Sequence, residues 1–198
     1  MARPEGARGT RAPFVGREAE LERGRDLLDA LAAGRGGALL VLGEPGVGKS
    51  RLLAELAGAA AERDLVVARA ACLPLSTPLP FDPVLELLRS LRRTGETDIV
   101  VSDSSPGGAE LFTAAVRTIE GVASGRSLLL VLDDLHFSDA ATRELVHYCI
   151  ARLADLPVAW LLAARPLGRG GTRADRRTPG RRERQRCADC CRARSNGR

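Results

Sequence analysis

A chain of 198 residues is the length of one domain with a short appendage, and its 44% hydrophobic content with only 3% aromatic residues predicts a core of leucine, valine and alanine. No apolar run approaches the roughly 18 residues of a membrane span, and no apolar signal segment follows the N-terminus, so we expect a cytoplasmic protein without a membrane partner. The net charge of +5 is uneven, because residues 168–198 contain 11 arginines against three acidic residues; residues 1–167 are at −3 and lack the surface of a general nucleic-acid binder.

Three regions follow from composition. Residues 1–12 are basic and contain proline and glycine, so we expect them to be disordered. Residues 13–167 form the predicted domain. The tail at 168–198 has almost no aliphatic residues and is again expected to be disordered. Within the domain, residues 13–34 predict a helix of about five turns that ends near Gly34.

The next segment joins a strand, a glycine-rich loop and a helix. Ala38–Leu42 is typical of a buried parallel strand, GEPGVGKS follows it, and residues 51–63 place leucine and alanine at helical spacing. The loop fits G-x-x-x-x-G-K-[ST], in which backbone N–H groups cradle phosphates, Lys49 brings a cation to the β- and γ-phosphates, and Ser50 offers a hydroxyl to Mg²⁺. A glycine-rich turn is the simpler interpretation, but Lys49 is the only lysine in the chain. The predicted nucleotide contacts here are Gly43, Glu44, Pro45, Gly46, Val47, Gly48, Lys49, Ser50 and Arg51.

The middle of the chain continues the alternation of strands and helices. Leu65–Ala70 predicts a second strand, and Cys72–Pro83, with four prolines, predicts an irregular excursion. Pro83 suits the first turn of a helix. A polar link then covers residues 94–108, and apolar positions between 111 and 119 predict another helix.

A second chemical motif is LLLVLDDLHFSD at residues 128–139. Its apolar residues predict a buried strand whose C-terminal edge presents Asp133 and Asp134, the edge at which open α/β sheets bind ligands. Asp133 is the candidate for holding Mg²⁺ through water, and Asp134 for orienting or activating the attacking water. The alternative is a turn followed by a helix cap. His136 is left without a role, because a single loop histidine is more often a hydrogen-bonding loop residue.

The last elements are a helix and a fourth strand. Ser138 or Asp139 is the expected N-cap of the helix. Val158–Ala164 then predicts a buried strand that ends at Arg165, which either reaches a γ-phosphate or is simply solvated. Four strands with interposed helices predict the α/β class, with a parallel sheet between helices and right-handed crossovers.

Three other functions have weaker sequence support. The arginines of the tail could bind nucleic acid non-specifically, beside a vestigial nucleotide site, but the tail has no aromatic residue to stack on bases. Cys187, Cys190 and Cys191 contain one C-x-x-C, fewer ligands than a zinc site needs. A phosphotransferase would need an acceptor pocket for which no residues are evident.

Together, FVGRE at residues 14–18, GEPGVGKS, VLDDLHFSD and LLAARP resemble the AAA/STAND-type P-loop ATPase module at the N-terminus of large LuxR-type transcriptional regulators. The resemblance covers residues 13–167 and implies ATP and Mg²⁺ as cofactors. It places Val15, Gly16 and Arg17 near the adenine and makes Arg165 a γ-phosphate sensor, so that Lys49, Asp134 and Arg165 are the expected catalytic residues. It also implies that the strand before Arg165 lies between the phosphate-loop strand and the Asp133 strand.

Proteins of this kind continue into a fifth strand, a helical lid and a C-terminal DNA-binding helix-turn-helix, whereas apolar periodicity here stops at residue 167. We therefore expect a truncated or frame-shifted product in which the phosphate-loop strand is a sheet edge and turnover is slow or absent. Self-association through the ATPase module is a further expectation. DNA contact would belong to a domain absent from this chain.

Overall fold

The computed structural model describes residues 16–75, 79–94 and 108–166. The described elements lie in one unit that extends to Arg165. Several sequence predictions fall outside the described residues: those on residues 1–12, on Val15, on most of the 94–108 link, and on the tail with its three cysteines.

The centre of the fold is a four-stranded parallel sheet. Its strands are β1 (Gly37–Leu42), β2 (Val66–Ala71), β3 (Leu128–Asp133) and β4 (Val158–Ala164), and they are arranged in the order β1-β4-β3-β2. The prediction that the strand before Arg165 separates the other two functional strands is therefore confirmed. Because all strands run the same way, their carboxyl ends and the loops that follow them lie along one edge.

In the described part of the chain, five helices pack on the two faces of this sheet, and a 3₁₀ turn lies at Leu135–Phe137. The helices are α1 (Glu18–Ala32), α2 (Lys49–Ala61), α3 (Asp82–Arg93), α4 (Gly108–Ala123) and α5 (Ala140–Arg152). Successive side chains of a strand point to opposite faces, which divides the core into two layers. Helices α1 and α2 pack against Leu129, Val131 and Leu161, and helices α3, α4 and α5 pack against Leu130, Trp160 and their neighbours. The predicted α/β class, with helices on both faces of a parallel sheet, is confirmed.

One boundary prediction was wrong. Helix α1 begins at Glu18 rather than near residue 13, since Gly16 has a left-handed φ of +85° that interrupts a helix. At its other end, Gly34 has φ +78° and is the predicted terminator. Strand β1 is an edge strand of the described sheet, as expected for the phosphate-loop strand, but the expectation that it is buried was wrong, because Leu40 and Leu42 are 50% and 54% exposed.

Two smaller features concern the thiols and the length of the helices. Cys72 and Cys149 are buried free thiols. Among the described helices, none is both long and apolar enough to cross a membrane.

Candidate functional site

The glycine-rich loop between β1 and α2 has the backbone that its sequence demands. Gly46 and Gly48 have φ of +77° and +86°, a left-handed region that side chains disfavour. At the start of the loop, Gly43 donates its N–H to the carbonyl of Ala164 at 3.3 Å, so the loop is joined to the end of β4. A Cβ on Gly43 would lie 2.8 Å from Val47 Cγ2, so any larger residue there would displace the Val47 side chain. The loop therefore turns tightly and leads into the N-terminus of α2.

Lys49 lies across the inside of this loop. Its side chain is 6% exposed, and its Nζ donates to the carbonyl oxygens of Gly43 at 2.9 Å and Glu44 at 3.1 Å. Both bonds hold the ammonium against the loop's own backbone. Ser50 follows it at the start of α2 and is exposed, so its hydroxyl faces the surroundings of the loop. An incoming anion would compete with two carbonyl oxygens for the Lys49 ammonium.

The segment before α1 also reaches this loop. Nη2 of Arg17 lies 3.8 Å from the point where a Gly43 side chain would begin, which brings the Arg17 guanidinium to the phosphate loop. Arg17 also has an ion pair with Glu20 at 3.4 Å, and Gly16 donates its N–H to Glu18 at 3.0 Å. Of the three residues predicted from FVGRE, Arg17 thus reaches the loop, Gly16 contacts the start of α1, and Val15 lies outside the described residues.

The two aspartates are at the carboxyl end of β3. Asp133 is the last residue of the strand, and its Oδ1 accepts a hydrogen bond from the N–H of Asp134 at 2.8 Å. Asp134 has a left-handed φ of +52°, so the chain turns sharply after the strand. Both carboxylates are half-buried. The capping role, by contrast, belongs to Asp139, which accepts from the N–H of Thr142 at 2.9 Å and begins α5.

Arg165 lies at the same edge, one strand away from each of the other two groups. Because β4 pairs with both β1 and β3, the residue that follows β4 is placed between the phosphate loop and the aspartates. Its guanidinium lies 5.3 Å from the centre of the Phe137 ring, a cation–π distance, and its side chain is exposed. The sheet order therefore gathers Lys49, Arg165, Asp133 and Asp134.

His136 is a member of this group that sequence reasoning left without a role. The loop interpretation expects a hydrogen-bonded histidine, yet among the described residues neither ring nitrogen has a hydrogen-bond partner, and both are buried. Burial lowers the pKa of His136, and the positive charges of Arg165 and Lys49 lower it further, against the opposing effect of Asp134 and Asp133. The 3.7 Å separation of its Nδ1 from Asp134 is therefore not an ion pair at neutral pH.

Comparison with known proteins identifies the family. A family model described as the AAA ATPase domain matches residues 13–161, which is most of the chain. The chain belongs to this family. As an AAA ATPase domain it is a nucleotide-binding P-loop module, and the phosphate loop, the Asp133–Asp134 pair and the Arg165 strand are parts of one nucleotide-binding fold.

Three proteins similar to this AAA ATPase domain extend well beyond it. An uncharacterized protein of Rhizobium meliloti (strain 1021) is 24% identical over 191 residues, which cover 78% of this chain and 19% of that protein. The Aeropyrum pernix ORC2 protein is 20% identical with a TM-score of 0.49 over 79% of this chain and 44% of its own. DnaA from Aquifex aeolicus is 17% identical with a TM-score of 0.46 over 79% and 40%. The chain spans less than half the length of each.

Proposed function

We propose that this chain is the Mg-ATP-binding switch module of a signalling or transcription-regulatory ATPase. In such a module, contacts to the γ-phosphate favour one conformation and hydrolysis releases it. The observation that carries the proposal is the sheet order, which brings the loop lysine, an arginine and two carboxylates to one edge although they are far apart in the sequence. These are the charges that phosphoryl transfer requires: cations for the phosphates, and carboxylates for a metal ion and a water molecule.

Phosphate binding begins with the loop and Lys49. The left-handed glycines turn backbone N–H groups toward the loop interior, where the N-terminus of α2 adds its positive end. Lys49 exchanges its bonds to the carbonyls of Gly43 and Glu44 for bonds to the β- and γ-phosphates. Since those carbonyl bonds compensate the ammonium in the absence of nucleotide, the affinity gained from Lys49 is a difference between two sets of hydrogen bonds.

A magnesium ion fits the donor set of this edge. Ser50 offers an exposed hydroxyl, and Asp133 has a half-buried carboxylate at the end of β3. Mg²⁺ is usually held by one or two protein oxygens together with water and substrate phosphates, so these two donors are sufficient on the protein side. When bound, the ion would neutralise charge on the phosphates.

Asp134 and Arg165 are placed to act on the γ-phosphate. Asp134 follows the last residue of β3 with a left-handed φ, and its half-buried carboxylate would accept a proton from a water molecule. In hydrolysis that water attacks the γ-phosphorus and the bond to the β–γ bridging oxygen breaks. Arg165, exposed at the end of β4, senses the γ-phosphate by charge-assisted hydrogen bonds.

The remaining proposals concern the adenine contacts, the type of regulator and the extent of the domain. The Arg17 guanidinium reaches the phosphate loop, which supports the proposal that Val15, Gly16 and Arg17 contact the adenine nucleoside. The motifs FVGRE and VLDDLHFSD support assignment to the STAND-type modules of large LuxR-type regulators, with self-association of the module and DNA contact by another domain. Residues 13–167 are proposed as the extent of the domain.

The proposal is tested by calorimetric titration of Mg-ATP into the wild-type chain, Lys49→Ala and Arg92→Ala. Both variants remove one positive charge, but Arg92 is exposed in the last turn of α3. This helix packs on β2, which is the strand farthest from β1 and its phosphate loop in the sheet order. We expect saturable binding by the wild type and Arg92→Ala, and a loss of at least tenfold in Lys49→Ala, since bonds to a charged group contribute about 1.5–3 kcal/mol.

Two outcomes would contradict the proposal. The first is a folded wild-type protein, by circular dichroism, that shows no heat of binding at millimolar Mg-ATP. The second is equal affinity in Lys49→Ala and Arg92→Ala, which would mean that nucleotide binds elsewhere on the chain. Repeating the wild-type titration with a chelator in place of Mg²⁺ tests the roles of Ser50 and Asp133, and we expect weaker binding there.

A further inference from the structure

His136 is the least satisfied polar side chain at the carboxyl edge of the sheet. In the described part of the chain, three buried side-chain nitrogens have no hydrogen-bond partner, and two of them are the ring nitrogens of His136. The third is Nε1 of Trp160, deep in the core between strands and helices. A buried polar group without a partner costs about 1–3 kcal/mol, and a leucine at this position would avoid that cost. The imidazole therefore needs a reason other than packing.

The surroundings of His136 indicate where its partner would come from. Its ring lies 4.0 Å from that of Phe137, and Arg165 lies over the same Phe137 ring. Asp134 is 3.7 Å from Nδ1, too far for a hydrogen bond. Lys49, Arg165 and the two aspartates are the charged groups that act on this imidazole. Its ring therefore lies beside Asp134 and Phe137, at the edge of the sheet that carries the residues which the proposed function assigns to the γ-phosphate, the metal ion and the attacking water.

We propose that His136 contacts the terminal phosphate of a bound nucleoside triphosphate as a hydrogen-bond donor. The inference rests on the proposed function and adds a residue to it. In either protonation state an imidazole carries at least one N–H, and phosphate oxygens are strong acceptors. The bond gives one ring nitrogen the partner that it lacks in the absence of nucleotide. His136 then favours ATP over ADP, because ADP has no group at that position.

A structural role makes the opposite prediction. If the imidazole only packs against Phe137, then His136→Phe keeps the stacking, removes two buried unsatisfied nitrogens, and leaves the preference between ATP and ADP unchanged. If instead His136 only positions Asp134, its nitrogens would respond in the same way to any nucleotide that fills the loop. Both alternatives can be distinguished from a γ-phosphate contact by comparing ADP with a non-hydrolysable ATP analogue.

The composition of the chain makes a spectroscopic test simple, because it has only two histidines. His147 is exposed on α5 and serves as the internal control. We would label the full chain with ¹⁵N-histidine and record the ring-nitrogen resonances alone, with Mg-ADP, and with the analogue, at saturation established by calorimetry. We expect the analogue to shift a ring nitrogen of His136 and slow the exchange of its proton, with ADP leaving both near their nucleotide-free values. His147 should be unchanged throughout.

Two variants test the contribution to affinity. In His136→Phe the ratio of the ADP Kd to the analogue Kd should fall about tenfold, the effect of one hydrogen bond to a charged group, with the ADP Kd unchanged. His136→Gln retains an N–H donor and should recover part of the ratio. An unchanged ratio in His136→Phe, or equal ¹⁵N shifts with ADP and analogue, would overturn the inference and leave nucleotide binding intact. A wild-type chain that binds neither nucleotide refutes the proposed function, and the inference with it.

Discussion

The contact between α1 and α2 yields a stability prediction that can be worked out from two glycines. Gly24 of α1 faces Leu56 of α2, which is 2% exposed. A methyl group at Gly24 would lie 2.5 Å from Leu56 Cδ2 and closer still to Cδ1, whereas carbon atoms prefer about 3.5–4.0 Å. Gly58 of α2 provides the matched control, because a methyl group there meets no atom within 4 Å. Both positions are helical and neither has a left-handed φ.

The two Gly→Ala variants should change the free energy of unfolding in opposite directions. Alanine in place of glycine within a helix contributes up to about 1 kcal/mol, which Gly58→Ala should gain in full. At Gly24 the same gain is offset by overpacking of about 1–3 kcal/mol, so Gly24→Ala should lose about 1 kcal/mol. Urea denaturation followed by circular dichroism measures the difference, which we expect to be about 2 kcal/mol.

Leu56→Ala completes the test as a double-mutant cycle. Truncating this buried leucine should cost about 2–5 kcal/mol by itself, but it removes the two methyl groups that overlap the new side chain. Gly24→Ala should therefore stabilise the Leu56→Ala protein, with a coupling energy above about 1 kcal/mol. If Gly24→Ala is as stabilising as Gly58→Ala in the otherwise wild-type chain, the close approach of the two helices is not a feature of the folded protein.

Three further predictions concern other sites. Burial raises the pKa of Asp139, but hydrogen bonds from Thr142 and neighbouring backbone N–H groups outweigh burial and hold that pKa below its ordinary value. The ionised Asp139 therefore stabilises the fold above the pKa of the unfolded state, and this stabilisation is lost as the pH falls through the folded-state pKa. In urea denaturation, the free energy of unfolding of Asp139→Asn should depend less on pH below about pH 4 than that of the wild type. Burial raises the pKa of Cys72 and Cys149 to about 12, so mass spectrometry should find both unalkylated by iodoacetamide at pH 8 until urea is added; native-state modification would contradict this. Gly36→Ala should cost more than Gly24→Ala by thermal denaturation, since its methyl would meet fixed backbone carbonyls, one at 2.6 Å; a smaller loss would refute this.

The sequence predicted the positions of the strands along the chain better than their order in the sheet or their burial. All four predicted strands agree with the observed ones to within a residue or so, because each apolar run is followed directly by a loop or a charged residue. The position of β4 between β1 and β3 came from the resemblance alone, since periodicity carries no information about which strands are neighbours. Leu40 and Leu42 show the same limit: an aliphatic run indicates a strand, but not whether another element covers both of its faces.

Among the site residues, those in a contiguous motif were predicted from the sequence, and those brought together only by the fold were not. The phosphate loop was predicted from sequence because its glycines, lysine and serine are consecutive and each type has a separate reason to be there. The sequence predicted too early a start for helix α1, because nothing in the residue types of FVGR separates that segment from the helix. Only the left-handed backbone at Gly16 shows where the helix is interrupted. No sequence pattern surrounds His136, and its two buried ring nitrogens without hydrogen-bond partners are a property of the folded chain. The sequence around a single loop histidine does not predict whether its ring is buried or which groups are within hydrogen-bond distance.

The sheet order also dictates when the nucleotide site can form. Strand β1, which leads into the phosphate loop, is made early in synthesis, yet within the described sheet it pairs only with β4, the last of the four described strands to be made. Contacts between segments so distant in sequence form slowly, and chains emerging from the ribosome fold from the N-terminus onward. A nascent chain that ends before residue 158 therefore contains the whole of GEPGVGKS on a strand that lacks its described neighbour. Nucleotide would begin to assist the folding of this sheet only when β4 has been added.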